Sequence, residues 1–152
     1  MTKINNNNKF ISKLKKFLAF ILISSIFISI SYLIVYKLSI LPNGYDIEEV
    51  QKDYIALRSF NIIGVEKELI TQSFSEHENW KIYEIEYEVN RQKEFLWLLF
   101  SAVTISAFLL IYKLRNGLGF WNAVVGSNII LAVLLPLLPV IRSLNRIVDL
   151  IA

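Results

Sequence analysis

Three long stretches without a single charge govern what this chain can fold into. Residues 17–36 read FLAFILISSIFISISYLIVY, residues 95–112 read FLWLLFSAVTISAFLLIY, and no acid or base occurs from Asn116 to Ile141. At about 1.5 Å of rise per residue, a helix of some twenty residues covers roughly 30 Å, the hydrocarbon thickness of a bilayer. One such run is compatible with the buried helix of a soluble domain. Three of them in 152 residues leave too little polar chain to cover them. The chain is 55% hydrophobic with mean hydropathy +0.49, and the excess lies in these blocks. The expected fold class is therefore mainly α: an integral membrane protein with three transmembrane helices.

The flanks fit that reading. Lys3, Lys9, Lys13, Lys15 and Lys16 precede the first block, and Lys113 and Arg115 follow the second. Tyr32, Tyr36, Phe95, Trp97, Tyr112, Phe120 and Trp121 gather at block ends, where an aromatic ring suits the headgroup zone. The first block is longer than the 7–15 residue apolar core of a cleaved signal peptide, so it reads as a signal anchor. Basic residues favour the cytoplasmic side, which places the N-terminus inside a plasma (inner) membrane. Arg91, Lys93, Arg142 and Arg146 pull against that orientation.

The resulting order is a basic, polar and disordered tail at 1–16, a first span at 17–36, and an extracytoplasmic segment at 37–94. A second span at 95–112, a short cytoplasmic loop at 113–119 and a third span at 120–141 follow, with an amphipathic tail at 142–152. In the outer segment Pro42, Asn43 and Gly44 signal a turn. Asp46 and Glu49 resemble a helix-capping pair, and Ile47, Val50, Tyr54 and Leu57 recur at helical spacing, which predicts a helix over 46–58. A second short helix is expected over 65–72. Residues 80–95 suit a helix running into the second span, although Glu84, Glu86 and Glu88 alternate as they would on a strand. The cap is thus helical or mixed α+β.

The third block contains residues that an apolar helix would ordinarily avoid. Pro136 and Pro139 cannot donate to the carbonyls four residues back, which predicts a kinked helix packed against protein. Gly119, Ala123 and Ser127 share one face, with Gly126 and Asn122 beside it. Such small residues let helices approach closely, which is how spans associate without a hydrophobic drive. Ser25 and Ser29 on the first span, and Ala102 and Ser106 on the second, offer matching faces. Asn128 reads as a packing or hydrogen-bonding residue, since an unpaired amide is costly in lipid. The candidate helix-packing set is Gly119, Ala123, Gly126, Ser127, Asn128, Pro136 and Pro139. In the tail Val140, Ile141, Leu144, Ile147, Val148 and Ile151 form an apolar face opposite Arg142, Ser143, Asn145, Arg146 and Asp149, as in a helix lying on a membrane surface or docked on a partner.

Chemistry is sparse. Without cysteine there are no disulfides and no thiolate sites. The lone histidine, His77, sits between Glu76 and Glu78 and reads as a solvated turn. Neither a phosphate loop, a dinucleotide turn nor a nucleophile motif occurs. No ionisable side chain of the acidic or basic kind lies within a span, which argues against a proton relay. No cofactor, metal site or nucleic-acid partner is expected, because the basic residues adjoin apolar blocks. The expectation is a non-catalytic, multi-pass membrane protein that contacts lipid and binds another integral membrane protein. The layout is similar to that of small bacterial immunity or exclusion proteins, which neutralise pore-forming toxins or incoming phage; an accessory subunit of a larger complex has the same outline. The similarity is one of layout, and no residue roles follow from it. The alternative is a homo-oligomeric, holin-like pore, in which the partner is a second copy.

Overall fold

A computed structural model describes residues 3–152. Helix α1 (Lys3–Tyr32) continues into a π-helical turn, Leu33–Lys37. Strands β1 (Tyr45–Val50), β2 (Tyr54–Phe60) and β3 (Glu66–Ser73) follow, then a 3₁₀ turn, Glu76–Glu78. Helices α2 (Trp80–Arg115), α3 (Phe120–Ser127) and α4 (Ile129–Ile151) complete the chain. Three helical stretches, Lys9–Lys37, Glu76–Arg115 and Ile129–Ile151, are long and apolar enough to cross a membrane.

Helix α2 is the central member, with α1 packed on one flank and α4 on another. The α1 seam is aromatic at its cap end. Tyr32 stacks on Tyr36 at 4.7 Å and meets Trp97 edge-on at 6.2 Å, while the Trp97 indole donates to the Ile28 carbonyl at 3.1 Å. Helix α4 runs antiparallel to α2, and the pair Glu84–Arg146 joins the N-terminal end of one to the C-terminal end of the other. The chain's C-terminus therefore lies at the same end of the molecule as the sheet.

The cap is a three-stranded antiparallel sheet in the order β1-β2-β3. It replaces both short helices expected at 46–58 and 65–72. Helical spacing of Ile47, Val50, Tyr54 and Leu57 is present, but it is interrupted by a bend at 51–53, and the residues on either side pair as strands, Val50 with Ile55 and Ile47 with Leu57. β2 is the central strand, and its Ile55, Leu57 and Phe60 suit a half-buried pleated surface. The stretch at 60–65 forms the β2–β3 turn. Residues 80–95 are helical, so Glu84 and Glu88 lie one turn apart on α2.

Two apolar clusters hold the cap to the helices. In the first, Ile55, Leu57 and Phe74 meet Ile82, Ile85 and Val89 of α2 and Ile147 and Leu150 of α4. In the second, Phe60 and Leu41 meet Val35, Leu96 and Val140. The expected surface-lying tail at 142–152 is instead the end of α4 and forms one wall of the cap core. Its buried face is Val140, Ser143, Ile147 and Leu150, whereas Ile141 and Val148 are exposed. The tail expected to be disordered at 1–16 is helical from Lys3, because each residue added to an existing helix gains a hydrogen bond without a new nucleation cost; Met1 and Thr2 lie outside the described residues. The third apolar block is two helices, not one. The break falls at Asn128, and α4 runs through Pro136 and Pro139 without interruption.

Candidate functional site

Two polar constructions stand out in an otherwise apolar helical framework: a junction that binds the sheet to α2, and the break in the third block.

At the junction, the Gln92 side chain is fully buried. Its amide oxygen accepts from the Tyr45 N–H at 3.0 Å, and its amide nitrogen donates to the Tyr45 carbonyl at 3.3 Å. A side-chain amide thereby copies one rung of a sheet ladder along the edge of β1. Gly44 makes room for this contact, since a Cβ there would press on the Gln92 amide. One residue along each element, Asp46 pairs with Lys93, and both side chains are largely buried. Asp46 also accepts from the Ser39 hydroxyl at 2.8 Å and from the Ile47 N–H at 2.8 Å. The exit of α1, the first strand and α2 are thus tied at one point. Burial, and secondarily the Glu68 charge, pushes the Tyr45 phenol above its ordinary range. Asp46, expected as a helix cap, is a strand residue here; its carboxylate serves the ion pair.

At the break, Asn128 adopts the left-handed conformation, with φ 56° and ψ 23°, and so ends α3 and starts α4. Asparagine is among the few residues with a side chain that enter this region readily. Three of the last carbonyls of α3 are met outside the helix ladder. Val124 accepts from the Ser127 hydroxyl at 2.9 Å, Val125 from the Asn128 N–H at 3.2 Å, and Gly126 from the Lys113 ammonium. A cation at a helix C-terminus also opposes the helix dipole. Lys113 reaches back along α2 from the last turn to do this.

The candidate packing residues divide between the inside and the outside. Ala123, Ser127 and Pro136 are buried and Pro139 is half-buried, whereas Gly119, Gly126 and Asn128 are exposed. Gly119 is the N-cap of α3, and no atom stands within 4 Å of where its Cβ would be. The Asn128 side chain makes no capping hydrogen bond. Ser106 is buried and Ala102 half-buried, but Ser25 and Ser29 face outward, their hydroxyls bonded at 2.9 Å to the Ile21 and Ser25 carbonyls of their own helix. The buried short side chain on α1 is Ser31 instead; Ser101 on α2 and Ser143 on α4 are buried likewise. Gln92 was missed in the sequence; the signal that could have found it is its place one turn after Val89 and one before Leu96, on the buried face of α2. The Asp46–Lys93 pair carried no sequence signal, because it joins residues 47 positions apart. His77 lies exposed in the 3₁₀ turn Glu76–Glu78.

The chain matches no protein-family model, no curated protein and no solved structure. Its class rests on its own architecture: a mainly helical chain with three helices long and apolar enough to span a membrane, joined to a small three-stranded sheet.

Proposed function

We propose that this chain is a multi-pass membrane protein whose work is to bind a second integral membrane protein through the outward side of its broken third span. Burial supports the membrane part. The most apolar windows of the three long helices are only 11%, 17% and 17% buried, so most of their surface meets whatever surrounds the molecule. Phe17, Leu22, Leu131, Leu135 and Leu138 are among the large side chains left exposed. A surface of that extent is covered by lipid or by other spans. The aromatic groups lie at the two ends of the long helices, Tyr32 and Tyr36 near the cap and Phe120 and Trp121 beyond the far end of α2, as an interfacial belt requires. With the N-terminal lysines cytoplasmic, the sheet and the C-terminus face outward.

The single observation that carries the binding part is the exposed polar notch at Asn128. In a bilayer an amide without a partner is expensive, and neighbouring spans are the usual source of one. Val125, three residues before Asn128, is a further exposed side chain on the same short helix. A protein of immunity or exclusion type, or an accessory subunit, works by such a contact.

The test is capture of the full chain from membranes in mild detergent, with Asn128→Gly, which keeps the left-handed backbone, and Val125→Trp, at an exposed neighbour, in parallel. The proposal predicts one stoichiometric membrane partner that both variants lose. Self-association alone would support the homo-oligomeric pore reading instead, and a partner retained by both variants would remove the notch from the account.

A further inference from the structure

We infer that the β2–β3 turn, residues 61–65, is a second membrane contact, with Ile62 and Ile63 seated in the outer leaflet at the boundary between headgroups and acyl chains. The inference rests on the bilayer reading above and adds a contact that no helix supplies.

Ile62, Ile63 and Val65 are 75%, 73% and 58% exposed, which makes this one of the most open apolar patches on the cap. Tight turns ordinarily place Gly, Asn, Asp, Ser or Pro at their centre. Here the two central positions are isoleucines, and the turn around them is rigid. Gly64 N–H donates to the Asn61 carbonyl at 2.9 Å, and the Asn61 side-chain oxygen accepts from the Ile63 N–H at 2.9 Å and the Val65 N–H at 3.0 Å. Gly64 has φ +80° and lies against Ile40, while the Asn43 N–H donates to the Asn61 carbonyl at 2.9 Å. The turn is therefore locked beside residues 40–43, immediately after α1 ends. Phe60, one residue before the turn, packs with Val35, Leu96 and Val140, with Tyr36, Phe95 and Trp97 around them. Those residues mark the cap-side ends of the apolar blocks of α1 and α2. The exposed isoleucines thus sit at the depth where the apolar belt meets the cap, and Leu38, two residues before Ile40 in the chain, is exposed as well.

Charge agrees with this placement. No acid or base occurs from Ser59 to Val65, while Arg58 and Glu66 close the stretch on either side. At the opposite end of the sheet, the β1–β2 turn carries Gln51, Lys52 and Asp53. The β2–β3 turn itself is uncharged, although Arg58, Glu66, Lys67 and Glu68 stand on the strands behind it, whereas the turn at the other end carries Lys52 and Asp53. Lipid is the occupant that nearness to the belt supplies, since the turn is held against Ile40 and Asn43, a few residues past the apolar helical stretch Lys9–Lys37.

The chain has no cysteine, so single thiols report one site each. Ile62→Cys, Ile63→Cys, Lys52→Cys and Leu22→Cys variants of the full chain are labelled with an environment-sensitive fluorophore. Each is reconstituted at high dilution in phosphatidylcholine–phosphatidylglycerol vesicles containing lipid with a shallow or a deep spin-label quencher. Expected is a blue-shifted emission at positions 62 and 63, quenched several-fold more by the shallow quencher than at position 52, with position 22 quenched by the deep one. If 62 and 63 match 52 while 22 is quenched, the inference is overturned and the bilayer reading stands. A blue shift at 62 without quenching means that protein covers the turn, which also overturns it. Absence of quenching at 22 contradicts the bilayer reading itself, and the inference falls with it.

Discussion

Gln92 shows how one side chain decides where the cap sits. Its amide meets both backbone groups of Tyr45, so the outer edge of β1 is closed by a helix rather than left open to another chain. Replacement by leucine preserves the volume and removes both bonds. Unpaired, the Tyr45 N–H and carbonyl are left buried against an apolar side chain, at a cost of about 1–3 kcal/mol. Gln92→Leu should therefore lower the unfolding midpoint of the detergent-solubilised protein, and an unchanged midpoint would show that the amide clamp is dispensable. The neighbouring Asp46–Lys93 pair is of a different kind. It is largely buried, so its attraction is set against the desolvation of both charges. Its contribution lies more in fixing the position of the sheet than in raising stability. The exposed Glu84–Arg146 contact, although two guanidinium nitrogens reach one carboxylate oxygen at 2.8 and 2.5 Å, contributes less than about 1 kcal/mol.

Among the elements, the third apolar block departs most from its sequence reading. Proline is the obvious helix breaker there, yet both prolines lie inside α4 and the break is at an asparagine. A proline inside a helix removes one hydrogen bond and crowds one carbonyl, both of which a helix can absorb by bending. A residue at φ 56° ends the helix altogether. An Asn128→Gly variant should fold normally, since glycine enters this region freely, while Asn128→Leu should cost about 1–2 kcal/mol. Equal stability of the two variants would mean that the break does not depend on this residue. The first two apolar blocks are each helical throughout and the third is helical in two pieces, since a helix satisfies the backbone within its own segment. The sheet was not legible, because its residues carry helical and strand-like spacing at once and a strand is decided by partners distant in sequence. Ile55 and Leu57 become core only when β1, β3, α2 and α4 surround them. In the same way, the tail is helical as its spacing predicts, but its buried face is turned from the expected one, hiding Ser143 and Leu150 against the cap and leaving Ile141 and Val148 exposed. Ile147→Ala should cost about 3 kcal/mol and speed hydrogen exchange at Ile55 and Leu57. If the tail instead lay on a membrane surface, exchange in the sheet would be unaffected.

The whole molecule has one dense end and one sparse end. At the cap, sheet, α2 and the end of α4 enclose a common core; toward the other end, α1 and α3 expose most of their side chains. In water that asymmetry has no physical basis, because the exposed leucines and isoleucines of the helices exceed what the cap core hides. In a bilayer it is the expected form, with a cap whose core is shared with α2 and α4 and spans whose lipid-facing sides need no cover. The packing role proposed for Asn128 and the lipid contact proposed for residues 61–65 both presuppose that medium. The most direct measurement is therefore flotation of the full-length chain on a density gradient after alkaline carbonate extraction of its membranes. The account predicts that the chain rises with the lipid and is released only by detergent. Recovery as a soluble monomer from the carbonate supernatant would contradict it.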